Sequence, residues 1–174
     1  MKLVSTLLFL LLMILVGPAI AQRNLSLREL ANIKDSKWQD IEAMATKRTF
    51  HLVLSNNTTE RRMAEFLQIT PPASEDDALI KRTFYYNDLW IEKRQLNRMI
   101  LYTTTDGEEY QAMLAWADSS SFKKIPGKSA SGGGAWSDGK FKFTLIEKRV
   151  PTARGGFMRK YEFEMFLEML TSKP

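Results

Sequence analysis

Apolar residues recur along this chain in two rhythms, one helical and one alternating. Leu27, Leu30, Ala31 and Ile33 fall at helical spacing, introduced by Ser26 with Glu29 three residues on. That pair has the form of a capping box, in which side chain and backbone satisfy each other's orphan hydrogen-bonding groups. Ser36 with Gln39 has the same form and predicts a second helix over Trp38, Ile41, Met44 and Ala45. Alternation follows from residue 50 to 54, with Phe50, Leu52 and Leu54 on one side of a strand and His51 and Val53 on the other. Further strands are predicted over residues 80–86, 97–105, 140–149 and 157 to about 165. Residues 57–69 read as a short helix, with Asn57 and Glu60 as its cap and Met63, Phe66 and Leu67 following. Residues 70–77 read as a surface connection, and residues 128–139, with Gly132, Gly133 and Gly134, as a flexible loop.

The last two strands suggest a hairpin turning at Arg154, Gly155 and Gly156. Phe143 opposite Tyr161 and Phe141 opposite Phe163 would stack aromatics on one face, while Lys142 meets Glu162 and Lys140 meets Glu164 on the other. Phe163, Phe166, Leu167 and Leu170 also fit helical spacing, so a short terminal helix competes there. A segment starting at Tyr110 echoes the one starting at Trp38: Gln39, Ala43, Ala45 and Phe50 match Gln111, Ala115, Ala117 and Phe122. Ile41, Met44 and Val53 keep apolar character as Met113, Trp116 and Ile125. The expected fold class is therefore α+β: two layers, an antiparallel sheet of about six strands with helices on one face. It would be built as an αβββ duplication with halves at about 36–105 and 106–170.

Lys2, the apolar run from Leu3 to Val16, Gly17-Pro18 and Ala19-Ile20-Ala21 form the layout of a signal peptide, residues 1–21, cleaved before Gln22. The run falls short of the roughly 20 residues that span a bilayer, so no stable membrane span is expected after cleavage. Residues 22–174 are expected to form one domain in the periplasm or outside the cell.

Composition narrows the chemistry. Zero cysteines exclude disulfides, thiolate metal sites and a thiol nucleophile, and a single histidine, His51, excludes a multi-histidine metal site. His51 has no serine elbow or metal-binding helix motif to work with and lies on the solvent side of its strand. Glu108 and Glu109 follow Asp106 where a helix would begin, which suits the helix dipole and assigns Asp106 as the cap. Glu75, Asp76 and Asp77 lack the ligand spacing of a calcium loop. The net charge of +5 comes from basic pairs interleaved with acids, which argues against a nucleic-acid partner. No catalytic residue, metal or cofactor is assigned.

The tryptophans carry the binding hypothesis. Trp38 and Trp116 sit in the echoed helices as core residues, whereas Trp90, beside Ile91, and Trp136 fall in expected connections. Large aromatics on loops are common anchors of binding surfaces. Helix-plus-three-strand units, doubled in an exported chain, resemble PepSY-type and β-lactamase-inhibitor-protein-type modules. Phe84-Tyr85-Tyr86-Asn87 and Leu101-Tyr102-Thr103-Thr104-Thr105 are similar to segments of uncharacterised exported families of Gram-negative bacteria. The resemblance implies a module that binds or inhibits other proteins, although this chain lacks the cysteines of the inhibitor type. The expectation is thus a non-enzymatic exported module that binds another envelope or extracellular protein through Trp90, Ile91 and Trp136 or the open sheet face. A carrier of a small apolar ligand between helices and sheet is one alternative, and a hydrolase with an unrecognised carboxylate site another.

Overall fold

The computed structural model describes residues 24–71, 79–91, 94–127, 133–139, 141–153 and 155–167. Two short helices come first, α1 (Leu27–Asn32) and α2 (Trp38–Lys47), with a one-turn 3-10 helix (Ile33–Asp35) between them. Four strands follow: β1 (His51–Asn57), β2 (Arg61–Thr70), β3 (Ile80–Ile91) and β4 (Arg94–Thr104). After α3 (Gly107–Ser119) come β5 (Lys123–Lys124), β6 (Gly134–Ser137), β7 (Phe141–Pro151) and β8 (Phe157–Leu167). All eight strands join one sheet in the order β1-β2-β3-β4-β8-β7-β6-β5, and every pairing is antiparallel. None of the described helices is long and apolar enough to cross a membrane.

This corrects the expected fold class. The protein is a β-rich fold dominated by an eight-stranded sheet, not a two-layer α+β domain with six strands. Each half holds a helix followed by four strands, so the expected αβββ unit is short by one strand in both. The missed strand of the first half is β2, where a helix was expected. Ala64, Phe66 and Gln68 are buried and alternate with Met63, Glu65 and Leu67, a period of two that the helical match concealed. Pairing decides the matter: β2 runs beside β3 over ten residues, and Phe66 stacks on Phe84 at 5.9 Å. The echo at Trp38 and Tyr110 aligns α2 with α3 and the start of β1 with β5 but not the later strands, since β5 has only two residues.

The first capping box forms as expected: Glu29 N–H donates to Ser26 Oγ at 3.2 Å and Ser26 N–H donates to Glu29 Oε2 at 2.9 Å. Burial pushes the Glu29 carboxyl up, but the Ser26 hydrogen bonds and the Arg48 guanidinium outweigh it and leave its pKa below the ordinary value. Asp106 caps α3 by accepting from the Glu108 and Glu109 amides. The second expected box does not form. Lys37 is the N-cap of α2 without a side-chain bond, and Ser36 Oγ instead donates to Asn32 O at 3.2 Å.

The final hairpin exists in a different register. Phe143 stands opposite Met165 and Phe163 opposite Leu145, a slide of four residues from the expected alignment. The turn explains it: Gly155 and Gly156 have φ of 81° and 90°, and the strands close at Pro151 and Phe157 around residues 152–156. An even slide keeps every side chain on its face, so the aromatics remain inside. β8 stays extended through Leu167, where a helix was the alternative, and Leu170 lies outside the described residues.

One face of the sheet forms the core. Phe66, Phe84, Tyr102, Phe163 and Leu145 make a row across β2, β3, β4, β8 and β7, each 2% exposed or less. Leu27, Leu30, Ile33, Ile41, Ala45, Tyr110, Met113 and Ala117 of the helical segments cover that row. Trp38 and Trp116 are partly buried against the same cluster.

Candidate binding edge

Among the described residues, the helices leave the first strand of the sheet exposed. α2 ends at Arg48, and Thr49 turns the chain with φ of 63°, a left-handed conformation that a β-branched residue adopts at a cost. Buried Gln68 holds this turn, its Nε2 donating to Arg48 O at 2.6 Å and to Thr49 Oγ1 at 3.0 Å. Phe50 then anchors the chain in the core at 3% exposure, and from His51 every residue of β1 is exposed.

A β-bulge shapes this strand. Leu52 lies opposite Phe66 and Leu54 opposite Glu65, so Val53 is the extra residue. The bulge overrides the expected alternation: Leu52 keeps the face of Phe50, while Leu54 moves to the other. Leu52, Val53 and Leu54 are 55%, 59% and 48% exposed. As the terminal strand among the described residues, β1 presents one row of backbone N–H and C=O groups beyond the last described ladder.

The two edges of the sheet differ in character. β5 is two residues long and consists of Lys123 and Lys124, both exposed, the short charged form that discourages strand pairing. β1 is seven residues long and contains no lysine, arginine, aspartate, glutamate or proline. It therefore retains the capacity to pair with a further strand.

The residues singled out in the sequence are distributed differently. Trp136 is 1% exposed, stacked on Phe143 at 5.4 Å, with its indole N–H donating to Asp118 Oδ1 at 3.3 Å. It belongs to the core, and the expected connection around it is β6. Gly133 and Gly134 serve that packing: a Cβ on Gly133 would sit 1.9 Å from Leu145 O. Trp90 and Ile91 are not in a connection either. Their backbone closes the β3–β4 ladder, Trp90 opposite Gln95 and Ile91 opposite Arg94, while their side chains lie outside the described residues. His51 is exposed, as is every residue of β1 on either face. Glu75, Asp76 and Asp77 lie outside the described residues.

Two buried polar clusters were not foreseen. Arg98 of β4 holds Asp88 of β3 in a two-pronged pair at 2.8 and 2.7 Å, and its Nη1 donates to Ile33 O and Ser36 O at 2.6 Å each. It thereby ties the 3-10 turn to the sheet. Arg82 of β3 donates to Glu109 Oε2 at 2.8 Å and to Asp106 Oδ2 at 3.1 Å, fixing the start of α3. Glu109 also accepts from Tyr102 OH at 2.5 Å and Thr104 Oγ1 at 2.8 Å. Burial, then the Glu109 charge, holds the Tyr102 hydroxyl well above its ordinary pKa. With its carboxylate already accepting from three protein donors, Glu109 suits anchoring rather than proton transfer. Among the described residues, no group of three or more histidine, aspartate or glutamate side chains is placed to hold a metal ion.

No protein-family model, curated protein or solved structure matches this chain. The functional reading accordingly rests on its own surfaces.

Proposed function

We propose that this chain is a non-enzymatic exported binding module that takes an extended segment of another envelope or extracellular protein onto β1. The observation that carries the reading is the long, charge-free edge with Leu52, Val53 and Leu54 exposed, beside an opposite edge that is short and basic. Strand addition supplies affinity through backbone hydrogen bonds and specificity through alternate side chains. Leu52 on one face and Leu54 on the other would give an incoming strand an apolar neighbour on each. The backbone of Trp90 and Ile91 lies at the Asn57 end of the sheet, two strands in from the edge and about 10 Å from it.

Hydrogen exchange on the protein with and without its co-purified partner tests this reading. The β1 amides gain protection in the complex, and Leu54→Lys weakens binding by at least about tenfold at an unchanged unfolding midpoint. Unaltered exchange across β1, or protection arising from a second copy of the same chain, would overturn it.

A further inference from the structure

The β7–β8 hairpin outruns the sheet. Pairing of β4 with β8 ends at Thr104 and Tyr161, and pairing of β6 with β7 ends at Gly134 and Leu145. Residues 148–151 and 157–160 therefore continue as a two-stranded ribbon, about 13 Å long at the usual rise per residue. Its turn is tied by Thr152 N–H to Gly156 O at 3.2 Å, Gly155 N–H to Thr152 O at 3.1 Å and Thr152 Oγ1 to Gly155 O at 2.7 Å.

Charge and apolar character are segregated along this ribbon. Lys148 stands directly opposite Lys160, and Arg149 directly opposite Arg159. Like charges across a strand pair cost stability, so two adjacent pairs work against the isolated protein. The acids that relieve them lie toward the base: Glu162 accepts from Lys148 at 2.5 Å and forms an ion pair with Lys160 at 3.3 Å, and Glu147 pairs with Arg159 at 3.4 Å. Three of the four cations thus have a carboxylate partner, two of them sharing Glu162, and Glu164 adds a negative charge near Lys148. Between this collar and the turn at residues 152–156, whose sequence includes Arg154, lies an apolar band, with Val150 opposite Met158 and Pro151 opposite Phe157. Phe157 is 74% exposed, the highest among the large apolar residues described, and Met158 is 38% exposed.

We infer that this ribbon docks on an anionic phospholipid bilayer, with Phe157 and Met158 entering the interface and Lys148, Arg149, Arg159 and Lys160 lying among the headgroups. An exposed aromatic and aliphatic band beside a basic collar suits the boundary between acyl chains and anionic headgroups. The headgroups add counter-charge to cross-strand pairs whose cations outnumber the carboxylates beside them. A polynucleotide would satisfy the cations but leave the apolar band without a partner. The inference does not depend on β1, which belongs to a different part of the sheet.

The test is co-sedimentation of the full chain, as its host processes it, with vesicles of phosphatidylcholine alone or with 30% phosphatidylglycerol, a composition chosen to be about one-third anionic. The protein binds the anionic vesicles, and binding falls as salt rises. Replacing both arginines (Arg149→Ser with Arg159→Ser) lowers the partition coefficient about 30-fold, and Phe157→Ser lowers it about tenfold. Both variants change exposed side chains, and neither lowers the unfolding midpoint. Phe157→Trp gives a tryptophan quenched by brominated lipid beyond the quenching of the unsubstituted chain. Equal binding to both vesicles, no loss in the arginine variant, no added quenching, or binding to a single-stranded oligonucleotide without vesicle binding would each overturn the inference.

Discussion

Arg98 shows most clearly what single side chains contribute here. The guanidinium and the Asp88 carboxylate are 5% and 1% exposed, so each is an ion removed from water whose cost is offset by the other. Asp88→Ala leaves that guanidinium charged and without its partner in the core, and should cost about 3–5 kcal/mol of unfolding free energy. Replacing both residues by apolar ones (Asp88→Leu with Arg98→Met) should recover part of the loss, because no buried charge remains. Recovery stays incomplete, since Ile33 O and Ser36 O then lose a donor, at about 1–3 kcal/mol for buried groups left unpaired. Urea denaturation of the three proteins checks this. A single substitution costing under about 1 kcal/mol would show that water reaches the pair.

The strand elements differ in how much of them a sequence displays. β3, β4, β7 and β8 announce themselves through alternating aromatics, whereas β2 places Met63, Phe66 and Leu67 at helical spacing and hides its period in Ala64 and Gln68. Gln68 is buried because it secures the Thr49 turn and accepts from Arg82, a tertiary reason with no local signature. β6 is concealed by its glycines, which resemble a linker and are in fact close-packing positions. Gly133→Ala tests that distinction, since its Cβ would collide with Leu145 O, a backbone atom that cannot rotate away. We expect a loss of at least about 1–3 kcal/mol, the usual cost of overpacking, read as a lower urea midpoint with a Trp136 fluorescence change. Gly127→Ala is the control, with open space around it and only its φ of 75° to strain. Equal effects at the two sites would mean that β6 is a loop after all. The candidate edge was half legible: Leu52, Val53 and Leu54 are plain in the sequence, but their exposure follows from strand order, in which β1 is terminal among the described strands.

At the scale of the whole molecule, the decisive junction is the pairing of β4 with β8. It joins the strands before α3 to those after it, from Met99 opposite Phe166 to Thr104 opposite Tyr161. The rings on its inner face belong to clusters on both sides. Tyr102 contacts Phe50 at 6.3 Å, Phe163 contacts Phe143 at 5.5 Å, and Tyr110 of α3 stacks on Tyr161 at 4.4 Å. Burial, with the Glu147 charge beside it, pushes the Tyr110 hydroxyl up to about 12, so it stays neutral within this seam at ordinary pH. Tyr102 also bonds Glu109 of α3 while pairing with Phe163 of β8, so neither half can leave without stripping the other's core. The two halves should therefore unfold together. Differential scanning calorimetry should give one transition whose calorimetric and van't Hoff enthalpies agree. Tyr102→Ala should lower that single midpoint, with a loss of about 3–5 kcal/mol expected for removing a buried aromatic ring, rather than split the transition. Two resolved transitions would show instead that each helix with its four strands is stable by itself, and that the seam is an interface between units.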